Sequence, residues 1–171
     1  YRSRGELPLE ALDHAEADEA ADALSHLETT SYQSFNMIIA DRTKAYWLRA
    51  MSGQIEAHPI EPRLSMLTAR DLNDPDSPRT QMYLPQFSVA ETPDPNSGNW
   101  AAWQALLADK HYDPDSGPGG AMNVDHGGGF GTVSSSLIAL PAPEKFEIKP
   151  KWLIAKGRPD EVAYEAVDLG T

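Results

Sequence analysis

Four side chains have the type and placement to meet a ligand or take part in acyl chemistry: Asn36, Thr132, Ser134 and Ser135. Asn36 interrupts the apolar run Phe35-Asn36-Met37-Ile38-Ile39-Ala40. A buried amide must find partners. Asn36 is therefore either a satisfied structural amide that fixes register or a group that orients a ligand carbonyl or an oxyanion. Thr132, Ser134 and Ser135 precede a strongly apolar stretch. On a strand, Thr132 and Ser134 share one face and Ser135 takes the other. Hydroxyls at a strand mouth either bind a ligand or serve the nearby backbone.

Other chemistries find weaker support. A serine nucleophile needs a base and an orienting acid. Asp125-His126 is the nearest such pair in sequence, but no Gly-x-Ser-x-Gly elbow presents a serine to it. His14, His26, His58, His111 and His126 are scattered without a His-x-x-x-His pair, so no metal site is expected. Asp113 and Asp115 lack the alternating ligands and closing Glu of a calcium loop. Gly127-Gly128-Gly129 precedes a strand-like segment, which fits a hairpin loop better than a phosphate cradle at a helix start. No residue pattern demands a cofactor.

Composition bounds the remaining classes. The 171 residues carry 14 Lys and Arg against 26 Asp and Glu, a formal charge of −12. Phosphate backbones and anionic membranes need clustered cations, so nucleic acid is not an expected partner. No run of about 18 apolar residues encodes a membrane span. With no cysteine, disulfides, thiolate metal sites and a cysteine nucleophile within residues 1–171 are excluded. A chain without disulfides is compatible with the cytoplasm, the compartment expected here.

The elements that must position these residues follow from periodicity. Leu9, Leu12, Ala20, Leu24 and Leu27 recur at helical spacing among acids, predicting one or two acidic amphipathic helices over 6–28. Asp13, Asp18, Glu19 and Asp22 form their solvated face. Period-two patterns then predict strands over 35–40, 44–50 and 54–60, with a fourth over 64–68, joined by short turns as an antiparallel meander. The first strand is apolar on both sides apart from Asn36, so it is expected to be central and covered on both faces. Ser77-Pro78 starts a helix bearing Tyr83 and Phe87, and Asn99 caps a second helix with Trp100, Trp103, Leu106 and Leu107. Strands are predicted over 121–124, 132–140, 152–155 and 162–167. Helices, meander, helices and strands in that order give an α+β fold.

Several segments in order resemble the NRDE family, the transport and Golgi organisation protein 2 group. They are Ser3-Arg4-Gly5-Glu6-Leu7, Phe35 to Asp41 with Ala45-Tyr46-Trp47-Leu48, Ser65 to Leu72, Ser77-Pro78-Arg79, Phe130 to Ile138, and Lys156-Gly157-Arg158-Pro159. The resemblance implies an αββα sandwich like that of N-terminal-nucleophile hydrolases, with antiparallel sheet layers covered by helices. It implies that residues 1–171 are one domain, the carboxy-terminal two-thirds of the family's fold. The amino-terminal cysteine and the Asn-Arg-Asp-Glu motif would then lie in a segment that these residues do not include. Two positions depart from many relatives: Ala69 stands where they have Asn, and Val133 where they have Arg. The function implied is hydrolysis of an amide substrate, with no catalytic residue in this chain and with Asn36, Thr132, Ser134 and Ser135 as ligand contacts. The alternative is a non-catalytic carrier of a small lipid or haem-like ligand on the same scaffold.

Overall fold

Two tight turns set the register of the first sheet. In the computed structural model, which describes residues 2–170 apart from the Thr30 side chain, β1 (Phe35–Ala40), β2 (Ala45–Met51) and β3 (Gln54–Pro59) form an antiparallel sheet ordered β1-β2-β3. Asp41 closes the first turn: its Oδ1 accepts from the Thr43 and Lys44 backbone N–H groups at 2.6 and 2.8 Å. The second turn uses Ser52 and Gly53, both with positive φ, the hairpin conformation that Gly adopts without steric cost. Register places Ile38 opposite Trp47 and Trp47 opposite His58.

The described residues divide into two compact units. The first takes in those of Tyr1–Arg63, Ala69–Leu72 and Ala142–Phe146, and the second those of Leu64–Thr68, Asn73–Pro141 and Glu147–Thr171.

In the first unit, α1 (Glu6–Ala11) and α2 (Ala17–Ser25) cover one face of the sheet. Leu7, Ala21 and Leu24 pack with Leu48, Ala50 and Ile55, and Phe35, Met37 and Ile39 join from β1. The acidic helices are as expected, but the inward stripe of α1 is Leu7 and Ala11. Leu9 and Leu12 are 67% and 79% exposed, because α1 is only six residues long and four-residue spacing from Leu7 turns both of them outward.

Two further expectations are corrected. The strand Phe35–Ala40 lies at the edge of its sheet and β2 is central. Its second face is not fully covered: Ile38 is 52% exposed, since the helices lie on the Met37 side. Residues 64–68 form no strand. Their chain is held instead by Asn73, whose Oδ1 accepts from Met66 N at 2.7 Å and whose Nδ2 donates to Ser65 Oγ at 3.2 Å.

In the second unit, α3 (Pro78–Val89) starts as expected, with Pro78 in its first turn and Ser77 Oγ accepting from Thr80 N at 3.4 Å. Tyr83 and Phe87 are its buried stripe. Phe87 packs edge-on against Trp103 of α4 (Ala101–Ala108), with ring centroids 5.1 Å apart. Asn99 Oδ1 accepts from Ala101 N at 3.3 Å, although the cap position itself falls at Trp100. The second sheet is β4 (Ser135–Ala139), β5 (Lys151–Ala155) and β6 (Glu165–Ala166), antiparallel and in that order. β4 and β6 are shorter than expected, whereas β5 is one residue longer. Residues 121–124 form none, and the 132–140 segment becomes a strand only at Ser135, because Thr132 is tied across a glycine loop to Val124. The architecture is α+β, with two small three-stranded antiparallel sheets. Among the described residues no helix is long and apolar enough to cross a membrane.

Candidate functional site

The loop that leads into β4 is built on glycine. Gly127, Gly128 and Gly129 all have positive φ, a run that side-chain-bearing residues rarely adopt. Asp125 Oδ1 accepts from Gly127 N at 2.9 Å, and His126 N donates to the Phe130 carbonyl at 3.0 Å. Below them Thr132 N donates to the Val124 carbonyl, and Thr132 Oγ1 accepts from Val124 N, both at 2.9 Å. Gly131 is where the two arms press together. A Cβ there would stand 2.3 Å from the Val124 carbonyl oxygen.

This bracing aims the serines that follow. Ser134 is exposed. Ser135, opposite Ala155 in the ladder, accepts from the Tyr164 hydroxyl at 2.6 Å. Burial raises the pKa of Tyr164 above its ordinary value, so its proton stays on the phenol. Ser136 Oγ accepts from Trp152 Nε1 at 3.2 Å. Ser135 and Ser136 are successive on β4 and face opposite sides of the sheet, so the hydroxyls do not converge; on the Ser135 side an aromatic donor fixes the direction of one O–H. Tyr164 and Ser136 were not singled out in the sequence. Their only signal there is a polar aromatic and one more hydroxyl flanking predicted strands.

A charged cluster supports the base of this loop. Arg158 pairs with Asp125 at 2.7 Å. The backbone N–H of Gly127, and then Arg158, hold the Asp125 carboxyl below its ordinary pKa. Asp160 pairs with Lys110 and accepts from Asn123 Nδ2 at 2.5 Å. Lys110 first, then Asn123, bring its pKa down to about 2. Asn123 is fully buried and also donates to the Ala108 carbonyl at 3.3 Å. Among the described residues no three His, Asp or Glu side chains gather as a metal ion would need.

Asn36 belongs to the first unit, whereas Thr132, Ser134 and Ser135 belong to the second. The Asn36 amide is engaged by protein on both sides. Its Oδ1 accepts from Trp47 Nε1 and its Nδ2 donates to the Arg70 carbonyl, both at 3.0 Å. Around it the outer face of the sheet carries a polar network. Arg49 pairs with Asp71 at 2.7 Å and Glu56 at 3.5 Å, and the His58 ring lies 5.2 Å from that of Trp47.

No family model, no curated protein and no solved structure matches the chain.

Proposed function

We propose that this chain is the ligand-positioning part of an NRDE-type, N-terminal-nucleophile-hydrolase-like protein of the cytoplasm. On this reading its second unit holds the carbonyl of an amide ligand without supplying the attacking group. The observation that carries it is the 2.6 Å hydrogen bond from Tyr164 to Ser135. A hydroxyl that accepts the tyrosine proton turns its own proton away from the tyrosine. It is then a directed donor, and a carbonyl oxygen is what such a donor takes. A nucleophilic serine needs the opposite arrangement, a neighbour that removes its proton. Tyr164, its proton held by burial, gives one instead. The ordered segments quoted above, and a chain of 171 residues with no cysteine, agree with a scaffold whose attacking group is not among these residues.

A second reading, a carrier for a small lipid or haem-like ligand, draws on exposed apolar residues in the same segment of chain as the hydroxyls. Phe130, Val133 and Ile138 are 74%, 75% and 61% exposed. An amphipathic ligand would use both features.

The test has two parts. Residues 1–171 are assayed against a panel of acyl-amide and ester substrates, with no turnover expected. Turnover that disappears in Ser134→Ala or Ser135→Ala overturns the positioning role. Binding of N-acetyl amino-acid amides, followed by ligand-observed NMR, is expected to weaken about tenfold in Ser135→Ala, the loss of one hydrogen bond at roughly 1.4 kcal/mol. If acyl chains bind and amides do not, the carrier reading replaces the first.

A further inference from the structure

Arg79 stands apart from the other arginines of known pairing. Arg2, Arg49 and Arg158 each meet a carboxylate at 2.7 Å. No carboxylate of the described residues contributes to the electrostatic surroundings of Arg79. Its Nη2 donates to the Gly119 carbonyl at 2.7 Å, and its Nε is buried and unpartnered. The side chain is only partly accessible, so its charge has lost water without gaining a counter-charge. Burial accordingly pushes its pKa below the usual arginine value.

That is an expensive arrangement in a chain where acids outnumber bases 26 to 14 and a partner could easily have been supplied. A half-buried cation with one carbonyl contact leaves most of its desolvation cost without compensation. The surroundings are those of a site rather than of plain packing. A Cβ on Gly119 would come within 3.9 Å of Cε1 and Nε2 of His126, so the imidazole stands beside the residue whose carbonyl Arg79 holds. Next in sequence is Thr80, 4% exposed, with a buried and unpartnered Oγ1. The planar guanidinium fork fits two oxygens of one oxyanion, and an imidazole N–H offers a further donor.

We infer that Arg79, with His126 beside the glycine whose carbonyl it holds, anchors a small organic anion, a carboxylate or a phosphate ester, in the second unit. This anchor does not depend on the hydroxyl site. It stands on an uncompensated guanidinium, and it holds whether or not Ser135 meets a carbonyl.

The experiment follows the side-chain Nε–H resonance of Arg79 in ¹⁵N-labelled protein, assigned by its loss in Arg79→Lys. Acetate and inorganic phosphate are titrated separately, with chloride at matched ionic strength as control. A saturable shift with acetate, phosphate or both, and none with chloride, is the expected result. A response to acetate alone identifies a carboxylate site and one to phosphate alone a phosphate site. The melting temperature of wild-type protein should rise with the active anion. In Arg79→Gln affinity should fall at least tenfold and the rise should disappear. If Arg79→Gln does not fold, the wild-type titration decides alone. Absence of a saturable shift with either anion, or an equal melting rise in Arg79→Gln, overturns the inference.

Discussion

The Asp41 carboxylate accepts the backbone N–H of Ala17 at 2.9 Å, so one side chain joins the first hairpin turn to the start of α2. Its other oxygen holds Thr43 N, Thr43 Oγ1 and Lys44 N. Helix starts leave N–H groups unsatisfied, and the cap residue Glu16 makes no side-chain cap bond, so Asp41 does that work from a distance. Lys44, next in the turn, pairs with Asp18 of the same helix.

Asp41→Ala is therefore expected to destabilise the protein by about 2 kcal/mol, the scale of hydrogen bonds to a charged acceptor. Asp41→Asn should recover part of the loss through its carbonyl oxygen. The Ala17 N–H, ahead of the other donors, holds the Asp41 carboxyl well below its ordinary value of 3.8. A depressed carboxylate stabilises the fold fully above the unfolded-state pKa and loses that contribution as pH falls through the folded value. Wild-type stability should thus decline below about pH 4, more steeply than that of Asp41→Asn, in urea melts taken across that range.

The features legible in the sequence are those made by near neighbours. The hairpins of the first sheet, the Ser77 cap and the Tyr83 to Phe87 stripe each depend on residues a few positions apart. What the sequence hid depends on distant partners. Arg79 finds Gly119 at a separation of 40 residues, and Asn123 finds Asp160 at 37. The apolar pattern of Phe35–Ala40 reports that a strand exists. It does not report that helices cover only one face, because that is settled by Leu7, Ala21 and Leu24 far upstream. Likewise the hydroxyl of Thr132 reads as either a ligand contact or a backbone partner, and its bond from Val124 N, eight residues upstream, is not legible in the sequence.

Tyr83 offers a test at the opposite end of the pH scale. It is fully buried and its hydroxyl donates to the His111 carbonyl at 2.7 Å. Burial, with the nearby Asp109 adding to it, raises its pKa to about 12. A raised tyrosine keeps the proton that the unfolded chain releases near 10, so its contribution is complete below pH 10 and is lost as pH approaches 12. Absorbance titration should show a tyrosine ionising near pH 12 that is missing in Tyr83→Phe. That variant should cost about 1 kcal/mol, from the unpaired carbonyl it leaves.

Gly131 tests the loop before β4. Its φ is not in the left-handed region, so conformational freedom is not what the position requires. What it requires is space: a Cβ would be 2.3 Å from the Val124 oxygen, and that neighbour is backbone and cannot rotate away. Gly131→Ala is expected to spread the Asp125–Gly131 bridge and cost about 1–3 kcal/mol, as over-packing does. Amide exchange at Thr132, whose N–H bonds Val124, should accelerate. Unchanged exchange and melting would show that the two arms can separate freely.

Asn36 separates structural from ligand-binding use of a partly exposed strand amide. The Trp47 indole N–H donates to its Oδ1 at 3.0 Å, and Trp47 is only 8% exposed. Asn36→Ala leaves that donor without its acceptor, at a cost of about 1–3 kcal/mol. Trp47→Phe removes the donor. In that background the loss of Asn36 should be milder by roughly 1 kcal/mol, because nothing is then stranded, and a double-mutant cycle in urea measures that difference directly. Full additivity would mean that the indole finds another acceptor and that the amide is spare for a ligand. In that case Asn36→Ala should weaken binding of an amide ligand while leaving the melting temperature in place. The expected outcome is coupling, since the other end of the amide is already tied to the Arg70 carbonyl. An amide gripped at both ends by its own chain fixes the 69–72 segment over the outer face of the sheet.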